Sequence, residues 1–123
     1  MDRLIPRSII RQYRRSSIRN STKLGFSFIL YMYHIQPYTY SQAYKLGVKV
    51  APSKNPSKKI DVYDWHGHFI CSVGMYGYGD YPTYLLLKGE AFANERRRLY
   101  KIRNERNRHK VGSAGYYADN LLW

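Results

Sequence analysis

The sequence predicts a small α+β domain preceded by an extended N-terminal arm, and three observations lead to this prediction. Residues 1–59 hold 12 Lys and Arg against one acid, whereas residues 60–123 hold 9 against 7. Residues 52–59, rich in Pro, Ser and Lys, contain no apolar side chain beyond the prolines and have the composition of a linker. After them, apolar residues recur first with period two and then at helical spacing. We therefore expect residues 1–59 to form a basic, tyrosine-rich arm and linker, and residues 60–123 to form the domain.

The net charge of +13 over 123 residues predicts an anionic partner. Residues 1–23 bury too little apolar surface to fold alone, so they are expected to order only on such a partner. Residues 24–35 are the most apolar run, but they fall short of the ~20 residues of a membrane-spanning helix. A buried or partner-docked strand and a membrane-interface segment both remain open for this run.

The domain is expected to begin with a β-hairpin and a short helix. Two period-two runs, residues 60–65 and 69–73, flank His66-Gly67, which has the composition of a hairpin turn. Asp80 is placed to cap a short helix that opens with Pro82 and ends at Gly89.

A long basic helix, from about Ala91 to Arg108, is expected next, followed after Gly112 by a short aromatic tail. Phe92, Leu99 and Ile102 fall on one side of this helix and form a narrow apolar stripe. We expect residues 121–123 of the tail to dock on that stripe. The cations on the rest of the helix leave two interpretations open, contact with nucleic-acid phosphates or with an acidic protein surface. The residues predicted to bind an anionic partner are Arg7, Arg11, Arg14, Arg15, Arg19, Arg97, Arg98 and Lys101.

Histidine, cysteine and acidic residues that could bind a metal or act in catalysis occur without the further side chains that such a site needs. His66 and His68 near Asp64 resemble a metal site, but the predicted turn lies between the two imidazoles, so turn residues are the better interpretation. Cys71 lies in a predicted strand and is interpreted as a packed structural cysteine. The glycines of residues 74–79 are expected to allow positive φ and close packing beneath tyrosines. We predict no enzyme activity, no metal and no cofactor.

Four segments in the second half resemble a small basic family of uncharacterised function from nucleocytoplasmic large DNA viruses, including algal viruses. The segments are Asp80-Tyr-Pro-Thr-Tyr84, Glu95-Arg-Arg-Arg-Leu-Tyr100-Lys-Ile-Arg103, Arg108-His-Lys110 and Gly112-Ser-Ala-Gly-Tyr-Tyr-Ala-Asp-Asn-Leu-Leu-Trp123. The likeness covers about residues 60–123, whereas residues 1–59 resemble no family. It implies a viral origin and, for members found in particles, a minor capsid role. It transfers no catalytic residue.

Under this resemblance the chain is expected to act as a structural virion protein, made in the infected host cell and located on the inner side of the capsid. Its partners would be the major capsid protein and other minor capsid proteins, which it would staple together. The residues expected to anchor it are Trp65, Tyr76, Tyr78, Tyr81, Tyr84, Tyr116, Tyr117 and Trp123. The arginines of the N-terminal arm would meet acidic coat surfaces, viral DNA or the inner membrane. The alternative function is a basic virion protein that binds or condenses DNA.

Overall fold

The computed structural model describes residues 32–123, which form an α+β fold. In chain order the elements are α1 (Pro37–Leu46), β1 (Lys49–Pro52), β2 (Lys58–Tyr63), β3 (Phe69–Met75), α2 (Tyr81–Lys88), α3 (Glu90–Arg103), α4 (Glu105–Arg108) and α5 (Ala114–Leu122). The three strands form one antiparallel sheet in the order β1-β2-β3. The predicted α+β class is confirmed. The five arginines predicted in residues 1–19 and most of the apolar run 24–35 lie outside the described residues.

The predicted arm and linker of residues 1–59 is wrong for its described part, because the fold begins well before Ile60. Pro37 opens α1, and Gly47, with φ of 72°, ends it in the left-handed conformation that favours glycine. Strand β1 then pairs with β2, with Val50 opposite Val62. The Pro-, Ser- and Lys-rich segment is the turn between β1 and β2, where the Lys58 amide donates to the Asn55 carbonyl over 3.0 Å.

The composition of the core shows why the folded domain begins before residue 60. Five of its ten buried residues precede Ile60, so half of the core lies in the segment that the sequence assigned to the arm and linker. Val50, Val62 and Cys71 lie in register on one face of the sheet, and so do Ile60 and Val73. Helices α1 and α5 pack together over the sheet. The buried residues of the core are Ile35, Tyr40, Ala43, Val48, Val50, Ile60, Val62, Val73, Leu121 and Leu122.

The predicted β-hairpin is confirmed, with His66-Gly67 in its turn. The amide of Asp64 donates to the His68 carbonyl over 2.8 Å and closes the turn. The Asp64 carboxylate accepts hydrogen bonds from the backbone amides of both His66 and His68 at 2.9 Å. These bonds organise the turn, and they lower the pKa of Asp64 from its ordinary value.

The short helix α2 also follows its sequence signals. The Asp80 carboxylate caps it by accepting from the Thr83 amide at 2.9 Å, and the Gly89 amide closes its end on the Tyr84 carbonyl. Gly79, just before the cap, lies directly beneath the Tyr84 ring, and a Cβ there would overlap that ring. The predicted close packing of a glycine under a tyrosine is therefore confirmed at this position.

The predicted helix from Ala91 to Arg108 is divided in two. Helix α3 ends at Arg103, and the short α4 follows Asn104. The amide and the side-chain Nδ2 of Asn104 both donate to the Tyr100 carbonyl, at 2.9 and 3.0 Å. The amide bond is the ordinary α-helical bond to the residue four positions earlier, whereas the added side-chain bond to the same carbonyl competes with the backbone pattern where the helix ends. No helix among residues 32–123 is long and apolar enough to cross a membrane.

Candidate interaction surface

The side of helix α3 that packs against the rest of the fold carries mainly polar residues. Ala93 is fully buried and allows the backbone of α3 to approach closely. The Arg97 guanidinium lies over the Tyr81 ring, 3.8 Å from its centroid, and Tyr81 donates to Asn94 over 3.2 Å. An arginine that stacks on an aromatic ring can pack inward without losing its polar contacts. Arg97 therefore contributes to the contact between α3 and α2.

The C-terminal helix α5 secures the inner side of α3. Its Asp119 carboxylate, which is 5 % exposed, accepts from Lys101 Nζ over 2.8 Å and lies 3.6 Å from Arg108 Nη1. Trp123 stacks on Tyr100 with ring centroids 4.4 Å apart and planes 7° from parallel. Leu121 and Leu122 lie in the core between α5 and the sheet. The predicted aromatic tail is thus a helix that joins α3 to the core.

The predicted docking of residues 121–123 on the Phe92, Leu99 and Ile102 stripe is wrong. Those three side chains point away from the core and are 43 %, 38 % and 63 % exposed. The side of α3 that carries Ala93 and Tyr100 packs against the fold instead, because a small side chain and a stacking ring allow closer contact there. The apolar stripe is left on the surface.

We define the outer face of α3 as Phe92, Arg96, Leu99, Ile102 and Arg103. The apolar members recur at helical spacing and alternate with exposed arginines. Phe92 meets the Tyr84 ring edge-on at 5.2 Å, and Arg96 lies 5.7 Å from the centroid of the same ring. Arg103 forms no ion pair with the described part of the chain. The outer face therefore presents apolar surface and uncompensated positive charge together.

The groove beside the outer face has a different electrostatic character. It has a volume of about 560 Å³, and its lining includes Arg98, Lys101 and Arg108. Each of these cations already has an acidic partner, since Arg98 pairs with Glu95 at 2.6 Å and the other two meet Asp119. The hydrogen bond from Arg98 holds the pKa of Glu95 below its ordinary value. Arg97, Arg98 and Lys101 therefore make internal contacts, and their predicted role toward an anionic partner stays a prediction.

The residues predicted to anchor a protein partner are distributed over several surfaces. Tyr81 is 8 % exposed and belongs to the packing of α2. Tyr116 and Tyr117 contact each other edge-on at 5.2 Å on α5. Trp65 lies at the hairpin tip, 42 % exposed, with Lys49 Nζ 5.2 Å from its ring centroid. Tyr76, Tyr78 and Tyr84 line one cleft. The anchoring role of all these residues stays a prediction. Leu86, at 68 % exposure, is a further exposed apolar residue of α2.

A buried polar cluster lies beneath that cleft. Lys59 Nζ and Asp80 Oδ2 are 2.8 Å apart, with side chains only 4 % and 1 % exposed. The Tyr33 hydroxyl donates to the same Oδ2 over 2.7 Å. Nothing in the sequence places Tyr33, Lys59 and Asp80 together, because they are up to 47 residues apart.

Stability at alkaline pH is expected to depend on Tyr33. Burial, and next the Asp80 carboxylate, raise the pKa of Tyr33 far above its ordinary value. Below about pH 10 the phenol is protonated in both the folded and the unfolded chain. Above it only the unfolded chain loses the proton, so the free energy of unfolding should fall by about 1.4 kcal/mol per pH unit per such tyrosine. Urea unfolding from neutral to alkaline pH should show a shallower decline for Tyr33→Phe, and an unchanged decline would contradict this assignment.

The structure also describes the surroundings of Cys71 and of the residues that resemble a metal site. Cys71 is a free cysteine, and burial raises the pKa of its thiol, which disfavours the reactive thiolate. Among residues 32–123, no group of three or more His, Cys, Asp or Glu is arranged to hold a metal ion.

Comparisons with protein-family models, with curated proteins and with solved structures give no match for this chain.

Proposed function

We propose that this protein is a structural virion protein, a minor capsid component that binds larger coat subunits from the inner side of the capsid. The observation that carries the proposal is the outer face of α3. Exposed apolar side chains that are ringed by charged residues are typical of protein-interaction sites. The four segments that resemble proteins of large DNA viruses support the proposed place in a virus particle.

The composition of the outer face indicates what its partner should offer. Phe92, Leu99 and Ile102 would enter an apolar groove, as an amphipathic helix does in helix-in-groove recognition. Arg96 and Arg103 flank them and would meet carboxylates at the rim of that groove. The partner surface is therefore an acidic, groove-bearing coat protein surface.

The double variant Leu99→Asp/Ile102→Asp is expected to lower incorporation of the chain into particles by at least about tenfold, because it places two carboxylates at the centre of the contact. Both positions are exposed, so the fold should be retained, and a thermal melt checks this. The measurement is the ratio of this chain to the coat protein in purified particles, by quantitative mass spectrometry.

Val111→Asp is the matched control, since Val111 is 79 % exposed and lies outside the outer face of α3. It should be incorporated like the unchanged chain. The proposal fails if the unchanged chain is missing from purified particles, or if the double variant enters them at the same ratio as Val111→Asp.

A basic virion protein that condenses DNA is the second candidate, and the net charge of +13 favours it. Binding to duplex DNA would then weaken steeply with salt, because each phosphate contact releases counterions. Duplex binding that is absent, or insensitive to salt, would remove this candidate.

A further inference from the structure

A second surface lies between α2 and the loop that connects it to β3. It is a cleft of about 350 Å³, within the range of clefts that hold small ligands. Its lining includes Tyr33, Lys59, Tyr76, Tyr78, Tyr84 and Lys88.

The floor of the cleft is neutral and already satisfied. Lys59 is paired with Asp80, and Tyr33 donates to the same carboxylate. In the described part of the chain, every buried side-chain nitrogen or oxygen has a hydrogen-bond partner. The polar groups of the floor therefore do not themselves require a charged group of a ligand.

The walls of the cleft are aromatic and unequally exposed. Tyr78 is 70 % exposed, and Tyr76 is 39 % exposed. The Tyr84 ring is fixed between Gly79 beneath it and Phe92 and Trp123 beside it, with ring centroids 5.2 and 6.2 Å away. A fixed ring and an exposed ring in one cleft suit a flat ligand that stacks.

The charge of the cleft favours an anion. Lys88 is exposed and forms no ion pair with residues 32–123, and no Asp or Glu is among the lining residues. The carboxylates of an acidic peptide would meet Lys88, but carboxylates do not stack on the tyrosine rings. A nucleotide supplies both a flat base and a phosphate.

We infer that this cleft binds one or two nucleotides of a single-stranded nucleic acid. An unpaired base stacks against Tyr78, and the adjacent phosphate meets Lys88. Stacking of this kind requires exposed base faces, so single strands bind here and duplexes do not. The cleft adjoins the outer face of α3 through the Tyr84 ring, which Phe92 and Arg96 contact, but Tyr78 and Lys88 do not belong to that face.

The test uses the full chain and a thymidine oligonucleotide of about four nucleotides, the short end of known single-strand site sizes. Salt is raised until a longer, stably paired DNA duplex no longer binds, which suppresses contacts made by charge alone. Tyr78→Ala is expected to weaken binding about tenfold, in isothermal titration calorimetry. Phe69→Ala removes another exposed aromatic ring, 59 % exposed, and should bind like the unchanged chain.

The contact between Lys88 and a phosphate is tested through the salt dependence of the binding affinity. Lys88→Gln should reduce the slope of log affinity against log salt by about 0.7, the value for one phosphate contact on a single strand. Lys110→Gln, at an exposed lysine outside the cleft, should leave the slope unchanged. Equal binding by Tyr78→Ala and the unchanged chain would overturn the inference. Displacement of the oligonucleotide by tetraglutamate at equal concentration would also overturn it, because it would show a site for anions alone.

Discussion

Deleting residues 121–123 is expected to leave the domain unfolded at room temperature. Leu121 and Leu122 are 0 % and 1 % exposed, and Trp123 stacks on Tyr100. Removing a buried leucine typically costs about 2–5 kcal/mol, and removing a tryptophan about 3–5 kcal/mol. The sum is comparable with the whole stability of a small domain, roughly 5–15 kcal/mol. Circular dichroism and urea unfolding measure the effect.

The single variant Leu122→Ala provides a finer version of this experiment, with an expected loss of about 2–5 kcal/mol in the free energy of unfolding. Gly74 faces Leu122 in the core, because a Cβ on Gly74 would lie 2.7 Å from Leu122 Cδ1. Val111→Ala, at an exposed position, is the control and should change stability by less than about 0.5 kcal/mol. A truncated chain with an unchanged urea midpoint would mean that the tail serves a partner and not the fold.

Lys59→Met is expected to lower the free energy of unfolding by about 3–5 kcal/mol. Methionine fills similar space, but it leaves the buried Asp80 carboxylate without its cation. Breaking one side of a buried ion pair costs this much because the remaining charge stays uncompensated. The measurement is urea unfolding at neutral pH.

The double variant Lys59→Met/Asp80→Asn separates the charge from the packing. Asparagine is neutral and can still accept from the Thr83 amide as a helix cap, so much of the lost stability should return. Lys58→Met, on the neighbouring and partly exposed residue of β2, should have little effect. A Lys59→Met chain as stable as Lys58→Met would show that the ion pair contributes nothing net.

Local signals were enough to predict the hairpin and α2. Asp80 and Gly89 act within one helical turn of the backbone groups they cap, so their effect can be read from the sequence. The same kind of signal existed for α1, a ten-residue helix that Pro37 opens and Gly47 ends, but its three tyrosines obscured the helical pattern. The boundary at residue 59 failed because the turn between β1 and β2 has the same composition as a linker.

The candidate surface was harder to predict because it depends on which side of α3 packs inward. The sequence placed Phe92, Leu99 and Ile102 on one side, and this remains correct. It could not show that Arg97 would stack on Tyr81, or that Lys101 would pair with Asp119 from α5. Inward-facing cations look like solvent-facing ones until their partners are known.

The sequence by itself determined the α+β class, the hairpin, the capped helix α2 and the strong positive charge. These follow from periodicity, caps, turns and composition, which act over a few residues or over the whole chain. Only the tertiary structure decided that α1 and β1 complete the core, and that α5 covers the inner side of α3. It also decided that the apolar stripe of α3 faces outward, because burial depends on contacts between residues far apart in the chain.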